Sequence, residues 1–202
     1  MALASCAGDD TTPNAESHGV AIEAEGCGPV PRTSAGTVVG PGLVLTAAHP
    51  VVGADRIVVD HQGQLVEATV AEADPALDLA VLRVPDLGAP APDRATLSTG
   101  ANAAYRGGDG ASVSFSVARQ VDITFADIYG QGSTTRPGYE LEADVEPGDS
   151  GAGLLVDGRL GGVVFAASTR APGRGWATDI AAADALLAGD QDPTATDLAC
   201  VP

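Results

Sequence analysis

The stretch Val145-Glu146-Pro147-Gly148-Asp149-Ser150-Gly151-Ala152-Gly153 sets one serine between glycines, behind a proline and just ahead of the apolar run Leu154-Leu155-Val156. A serine in such company is either a turn residue or a nucleophile, because Ser and Gly are common turn formers. Taken alone the stretch reads as a turn. The rest of the chain changes that reading.

The chain has 202 residues, 45% of them hydrophobic and only 3% aromatic. That length can bury a substantial core in one domain with tails. Abundant Val, Ala and Gly favour packed β structure with tight turns over long helices. No apolar run reaches the roughly 18 residues of a membrane-spanning helix. The charge is strongly acidic, 27 Asp and Glu against 10 basic residues, all arginine. A surface this negative repels phosphate backbones, so nucleic acid is not an expected partner.

Residues 1–26 hold Asp9, Asp10, Glu16, Glu23 and Glu25 and no basic side chain. They read as a disordered acidic tether with His18 solvated within it. The folded domain is expected over residues 27–202. Thr37 to Val39 and Leu43 to Ala48, separated by Gly40-Pro41-Gly42, read as a hairpin. Further strand-like runs are Arg56 to Asp60, Gln64 to Ala71 and Leu79 to Val84, with His61 exposed in the turn between the first two. After a proline-rich connector at 85–94 come Ser112 to Arg119, Gln120 to Phe125, Tyr139 to Ala143, Gly153 to Val156 and Leu160 to Ala167. Short strands at this spacing predict an all-β barrel or sandwich. One helix is expected near the end, with Asp179 as its N-cap, Ile180 to Leu187 as its body and Gly189 as its terminator.

Three stretches gain meaning when read together. Thr46-Ala47-Ala48-His49 puts a histidine at the end of an apolar strand. Asp78-Leu79-Ala80-Val81-Leu82 puts an aspartate at the mouth of another, and Gly148-Asp149-Ser150-Gly151 supplies the serine. These motifs, in the order His, Asp, Ser, resemble those of the chymotrypsin-like (trypsin-like) serine peptidases over roughly residues 33–188. The resemblance implies a double antiparallel β-barrel with the site between its halves and no metal or organic cofactor. It implies His49 as the base that takes the serine proton, Asp78 as its orienter, and Ser150 as nucleophile through an acyl-enzyme. It implies an oxyanion hole formed by the N–H groups of Gly148 and Ser150, where losing one donor costs about 3–4 kcal/mol of transition-state stabilisation. Asp74, ahead of Pro75, reads as a turn residue. An α/β-hydrolase is excluded for Ser150, because no histidine follows it and Ala152 breaks G-x-S-x-G. A catalytically silent relative that binds peptides or partners in the envelope is the alternative reading.

Asp127-Ile128-Tyr129-Gly130, Tyr139-Glu140-Leu141, Gly162 to Ser168 and Gly175-Trp176-Ala177 resemble the protease domain of actinobacterial membrane-anchored acid-resistance peptidases. Asp149 stands where that subgroup usually has Asn, and no I-V-G-G activation sequence occurs. No zymogen cleavage is therefore expected, and Asp149 is expected to be held by an arginine, Arg136 or Arg119. A peptide or protein substrate would lie along Phe165, Ala166 and Ala167, with Trp176 as pocket wall. Asp144, six residues before Ser150, is either a basic-specificity acid or a solvated rim residue. No PDZ domain is expected, and the chain is expected to act as a monomer.

Leu3-Ala4-Ser5-Cys6 resembles a lipobox that would lipidate Cys6 as a membrane tether. Only five residues precede it, so either the start lies upstream or the match is fortuitous. Cys27 and Cys200 sit at the two ends of the expected domain. A disulfide there would imply an extracytoplasmic, secreted or envelope-anchored protein; two unpaired thiols are the alternative.

Overall fold

The computed structural model describes residues 14–189 and 198–201. Cys6 and the first part of the expected tether, residues 7–13, lie outside the described residues.

The first half is a closed antiparallel barrel of six strands: β1 (Gly19–Glu25), β2 (Arg32–Gly40), β3 (Leu43–Thr46), β4 (Arg56–His61), β5 (Gln64–Asp74) and β6 (Leu79–Arg83), in the order β1-β2-β3-β6-β5-β4. Val20, Ile22, Ala24, Val38, Val44, Val59 and Leu82 fill it. The expected β2–β3 hairpin is present, and Gly42 at φ +71° permits its turn. A short strand, β7 (Asp93–Arg94), leads into the second half. That half comprises β8 (Asn102–Arg106), β9 (Ser112–Ala126), β10 (Ser133–Glu142), β11 (Gly153–Val156), β12 (Arg159–Ala167) and β13 (Arg174–Asp179). They pair in the order β11-β12-β13-β10-β9-β8, and the terminal strands β8 and β11 lie against each other to curl the sheet. Tyr105, Phe115, Tyr139, Leu141 and Leu154 pack inside it.

Several expectations need correction. The tether reading fails from Asn14 onward. Asn14 caps a one-turn helix, α1 (Ala15–His18), and β1 then closes the barrel between β2 and β4. Alternation explains this: Val20, Ile22 and Ala24 point inward while Glu23 faces solvent, a period-2 pattern inside an acidic stretch. His18 is buried rather than solvated. Its Nε2–H donates to the Pro90 carbonyl at 3.0 Å, so Nδ1 accepts from the Ser17 hydroxyl at 2.8 Å. His61 is half-buried, with Nε2 donating to Ser17 O at 3.0 Å. The runs Ser112 to Arg119 and Gln120 to Phe125 form one continuous strand, β9, which twists past a bulge in its pairing with β10. The expected helix begins where foreseen, with Asp179 accepting from Ala181 N at 2.9 Å. It splits into a 3-10 turn (Ile180–Ala183) and α2 (Asp184–Ala188).

Cys27 and Cys200 meet with Cα atoms 5.4 Å apart. Arg32 reinforces that junction, donating to the carbonyls of His49, Cys27 and Val201. Among the described residues no helix is long and apolar enough to cross a membrane.

Candidate active site

The first barrel supplies two of the candidate residues. β3 ends at Thr46, and a turn stabilised by Val51 N and Val52 N donating to Ala48 O carries His49. Asp78 lies just before β6 with φ +52°, a left-handed conformation that non-glycine residues rarely adopt. Its carboxylate is nearly buried and receives Ala48 N at 3.1 Å and His49 N at 2.9 Å. The His49 ring completes the set, with Nδ1 2.9 Å from Oδ2 and 3.1 Å from Oδ1. A carboxylate only accepts, so Nδ1 carries the proton and Nε2 keeps a free lone pair. That is the tautomer a general base needs.

The second half supplies Ser150. Glu146 O accepts from Asp149 N at 3.1 Å across Pro147 and Gly148. Proline at the second position and glycine at the third, here with φ +106°, is the pattern of a type II turn. Among the described residues neither Gly148 N–H nor Ser150 N–H has an acceptor within the protein. Ser150 O accepts from Ala35 N of β2 at 2.9 Å, and Gly151 N donates to Val164 O at 2.8 Å, so the loop is pinned to both halves. Gly151 has φ +95°, and a Cβ there would lie 2.1 Å from Ala35 O and 2.4 Å from Thr46 Oγ1. That contact seats the serine loop on the strand leading to His49. The Ser150 hydroxyl donates to Phe165 O at 3.3 Å.

Asp149 is not held by an arginine. Its buried carboxylate receives Tyr105 Oη–H at 2.9 Å and Glu146 N at 3.0 Å, both on Oδ2. Oδ1 lies against Gly107, where a Cβ would come within 2.4 Å. Burial first, and the Asp149 charge second, push the Tyr105 hydroxyl well above the ordinary tyrosine range, so it remains a donor. Arg119 pairs instead with Glu140 at 2.6 Å. Arg136 is buried with its guanidinium 3.7 Å from the Phe125 ring centre and 4.7 Å from that of Phe165. Sequence reasoning missed Tyr105, the single tyrosine of an alanine-rich strand 44 residues from its partner.

Phe165, Ala166, Ala167 and Trp176 come together. With Phe125, Ser168 and Arg170 they line a groove of about 550 Å³. Asp144 does not join them; it is exposed and lines a separate cavity of about 580 Å³ with Asp109, Glu146 and Asp149. Val145 packs against β13, its Cγ2 2.4 Å from where a Gly175 Cβ would be. No cluster of three or more metal-ligating side chains occurs among the described residues.

A family model described as trypsin-like peptidase domain matches residues 34–164. The chain is 38% identical over 141 residues to the serine protease Rv3671c of Mycobacterium tuberculosis H37Rv, covering 66% of this chain and 36% of that protein. It thus spans about a third of the length of the curated relatives it matches. The crystal structure of the active form of the Rv3671c protease superimposes with a TM-score of 0.82 at 32% identity, covering 93% of this chain and 87% of that one. The inactive form gives 0.75 at 31% identity over 87% and 91%. The serine endoprotease from Yersinia pestis, at 22% identity and a TM-score of 0.59 over 86% and 62%, shares the fold. The chain belongs to the trypsin-like peptidase family.

Proposed function

We propose that this chain is a serine endopeptidase that cleaves peptide bonds through His49, Asp78 and Ser150. The observation that carries the reading is the His49–Asp78 pair, because Nδ1 donates to the carboxylate and leaves Nε2 as the nitrogen free to accept a proton. Rotation of the Ser150 hydroxyl away from Phe165 O hands its proton to Nε2 as Oγ attacks the scissile carbonyl. The unengaged N–H groups of Gly148 and Ser150 receive the oxyanion. His49 then protonates the leaving amine, and water hydrolyses the acyl-enzyme by the same route. The closer superposition on the active form of the mycobacterial protease supports a site built for turnover.

The substrate is an extended peptide lying along Phe165 to Ala167, with its non-prime side chains in the groove beside Phe125 and Trp176. Asp144 stays outside that groove, which favours the solvated-rim reading over a basic-specificity acid. The approach of Cys27 and Cys200, with Cα atoms 5.4 Å apart, supports a disulfide and with it an oxidising compartment outside the cytoplasm.

A fluorophosphonate probe tests the chemistry. Wild type is expected to label at Ser150, and Ser150→Ala to lose labelling while keeping its fold. A folded wild type that does not label, and cleaves no member of a diverse peptide library, would sink the proposal.

A further inference from the structure

The two sides of His49 are held by different groups. Its main-chain N–H and its ring Nδ1 both donate to the Asp78 carboxylate. Its carbonyl belongs to the His49–Pro50 peptide, where proline brings no N–H of its own. The turn that follows is closed by Val51 N and Val52 N on Ala48 O, which leaves His49 O outside that bonding. Among the described residues the donor to His49 O is Arg32, with Nη1 at 3.0 Å.

Arg32 is half-buried at the start of β2. Its Nη2 donates to Cys27 O at 3.2 Å and to Val201 O at 2.7 Å. One planar fork thus joins the entry to β2, the turn carrying His49 and the C-terminal segment 198–201. That segment is seated on the same turn. A Cβ at Gly53 would lie 2.4 Å from Cys200 N, and Leu198 and Val201 pack on the first-barrel core. Farther along β2, Ala35 N donates to Ser150 O at 2.9 Å. A single strand therefore contacts the His49 turn through a side chain and the serine loop through its backbone.

We propose that Arg32 is a positioning residue for His49: by gripping His49 O it fixes the peptide plane beside the imidazole and locks that plane to the C-terminal segment. Asp78 holds the amide and the ring, and Arg32 holds the carbonyl. With His49 O released, the 49–50 peptide tilts while the Asp78 bonds persist, and Nε2, at the far end of the ring, is displaced. A general base acts only within hydrogen-bond reach of the proton it takes, so the tilt costs rate rather than substrate affinity.

The inference rests on proteolysis through the triad, and its test separates the two. Arg32→Met keeps an apolar stem and removes the donors. Tyr129→Phe is the control, since it deletes the bond from Tyr129 Oη to Ala199 O at 2.9 Å and loosens the same C-terminal segment without touching His49. Arg32→Met is expected to lower kcat by about 5- to 50-fold and to leave KM within about twofold. Tyr129→Phe is expected to keep kcat within about twofold of wild type, whatever its fall in Tm. In protein labelled with ¹⁵N-histidine, the Nδ1–H resonance of His49, assigned by its absence in His49→Gln, is expected to move in Arg32→Met and to stay in place in Tyr129→Phe. Wild-type kcat in Arg32→Met, an unmoved resonance, or an equal loss of kcat in both variants would overturn the proposal. Should Arg32→Met fail to fold, Arg32→Lys replaces it. A single ammonium cannot reproduce the fork, so at least about a threefold loss of kcat is expected, and wild-type kcat with an unmoved resonance refutes the role. A folded wild type that does not label with fluorophosphonate refutes the proteolytic reading, and the resonance alone then decides whether Arg32 positions His49.

Discussion

Tyr105→Phe is the most informative single change at this site, because it removes one oxygen and leaves the ring packed on Phe115 at 6.2 Å between centres. The lost group is one of two donors to Asp149 Oδ2, the other being Glu146 N. Asp149 is 5% exposed, so water cannot replace the hydroxyl without opening the loop. A hydrogen bond to a charged group contributes about 1.5–3 kcal/mol. For a domain of this size, 2 kcal/mol corresponds to a fall of roughly 4–8 °C in Tm. The functional loss comes through the turn at Pro147 and Gly148, since Asp149 anchors the backbone that aims the two oxyanion donors. A kcat/KM fall of 10- to 100-fold, or about 1.4–2.7 kcal/mol, is expected. It should appear equally in peptide hydrolysis and in the rate of fluorophosphonate labelling. Wild-type values of Tm and kcat/KM together would refute the reasoning, since they would mean that Asp149 needs no donor from β8. Asp149→Asn should be milder than Tyr105→Phe. An amide oxygen accepts the same two hydrogens, and no buried cation is left unpaired as it would be had an arginine held Asp149.

Three further outcomes are expected. His18 has its protonation pushed down by burial, with the Pro90 hydrogen bond opposing and nearby His61 adding to the fall. The folded state therefore binds its proton less readily than the unfolded chain, and His18 contributes stability above pH 6.5 that is lost as pH falls below it. Urea unfolding from pH 7.5 to 5 should show wild type losing up to about 1.4 kcal/mol per pH unit more than His18→Gln; parallel curves would count against this. Breaking the Cys27–Cys200 link, which spans 173 residues, should cost up to about 5 kcal/mol, read as a fall in urea midpoint on adding reductant; an unchanged midpoint with free thiols titrated would argue against the pairing. Asp144→Ala should change kcat/KM for Arg- or Lys-containing peptides by less than about fivefold, because an exposed charge contributes under about 1 kcal/mol, and a larger selective loss would restore it as the specificity acid.

The site was legible where its chemistry is written in local motifs. Thr46 to His49, Asp78 to Leu82 and Gly148 to Gly151 each combine a candidate residue with the strand end or turn that presents it, so their order was enough to propose a pairing, and His49 and Asp78 do meet. What lies across the sheet was not legible. Asp149 finds Tyr105 only because β8 closes against β11, and no spacing rule links positions 105 and 149. Arginine was the natural guess for a buried carboxylate, yet Arg136 lies against the Phe125 and Phe165 rings. The first strand was missed for a different reason. Counting acids between Asp9 and Glu25 hid the alternation of Val20, Ile22 and Ala24, which specifies a half-buried strand despite the charge between them.

The two halves hold their candidate site residues by different means. In the first barrel the backbone does the work. Ala48 N, His49 N and the imidazole Nδ1 all donate to Asp78, so the donors named at that carboxylate come from the first barrel. In the second half a buried side chain does it, because the turn at Gly148 needs Asp149 and Asp149 needs Tyr105. Ala35 N to Ser150 O and the close seat of Gly151 on Thr46 then join the serine loop to the first barrel. A Cβ at Gly151 would force that seat apart by more than an ångström while leaving the Asp78–His49 pair and the Tyr105–Asp149 pair intact. Failure of catalysis by separation of the halves is thus distinguishable from failure within either one, since only the first leaves both pairs whole.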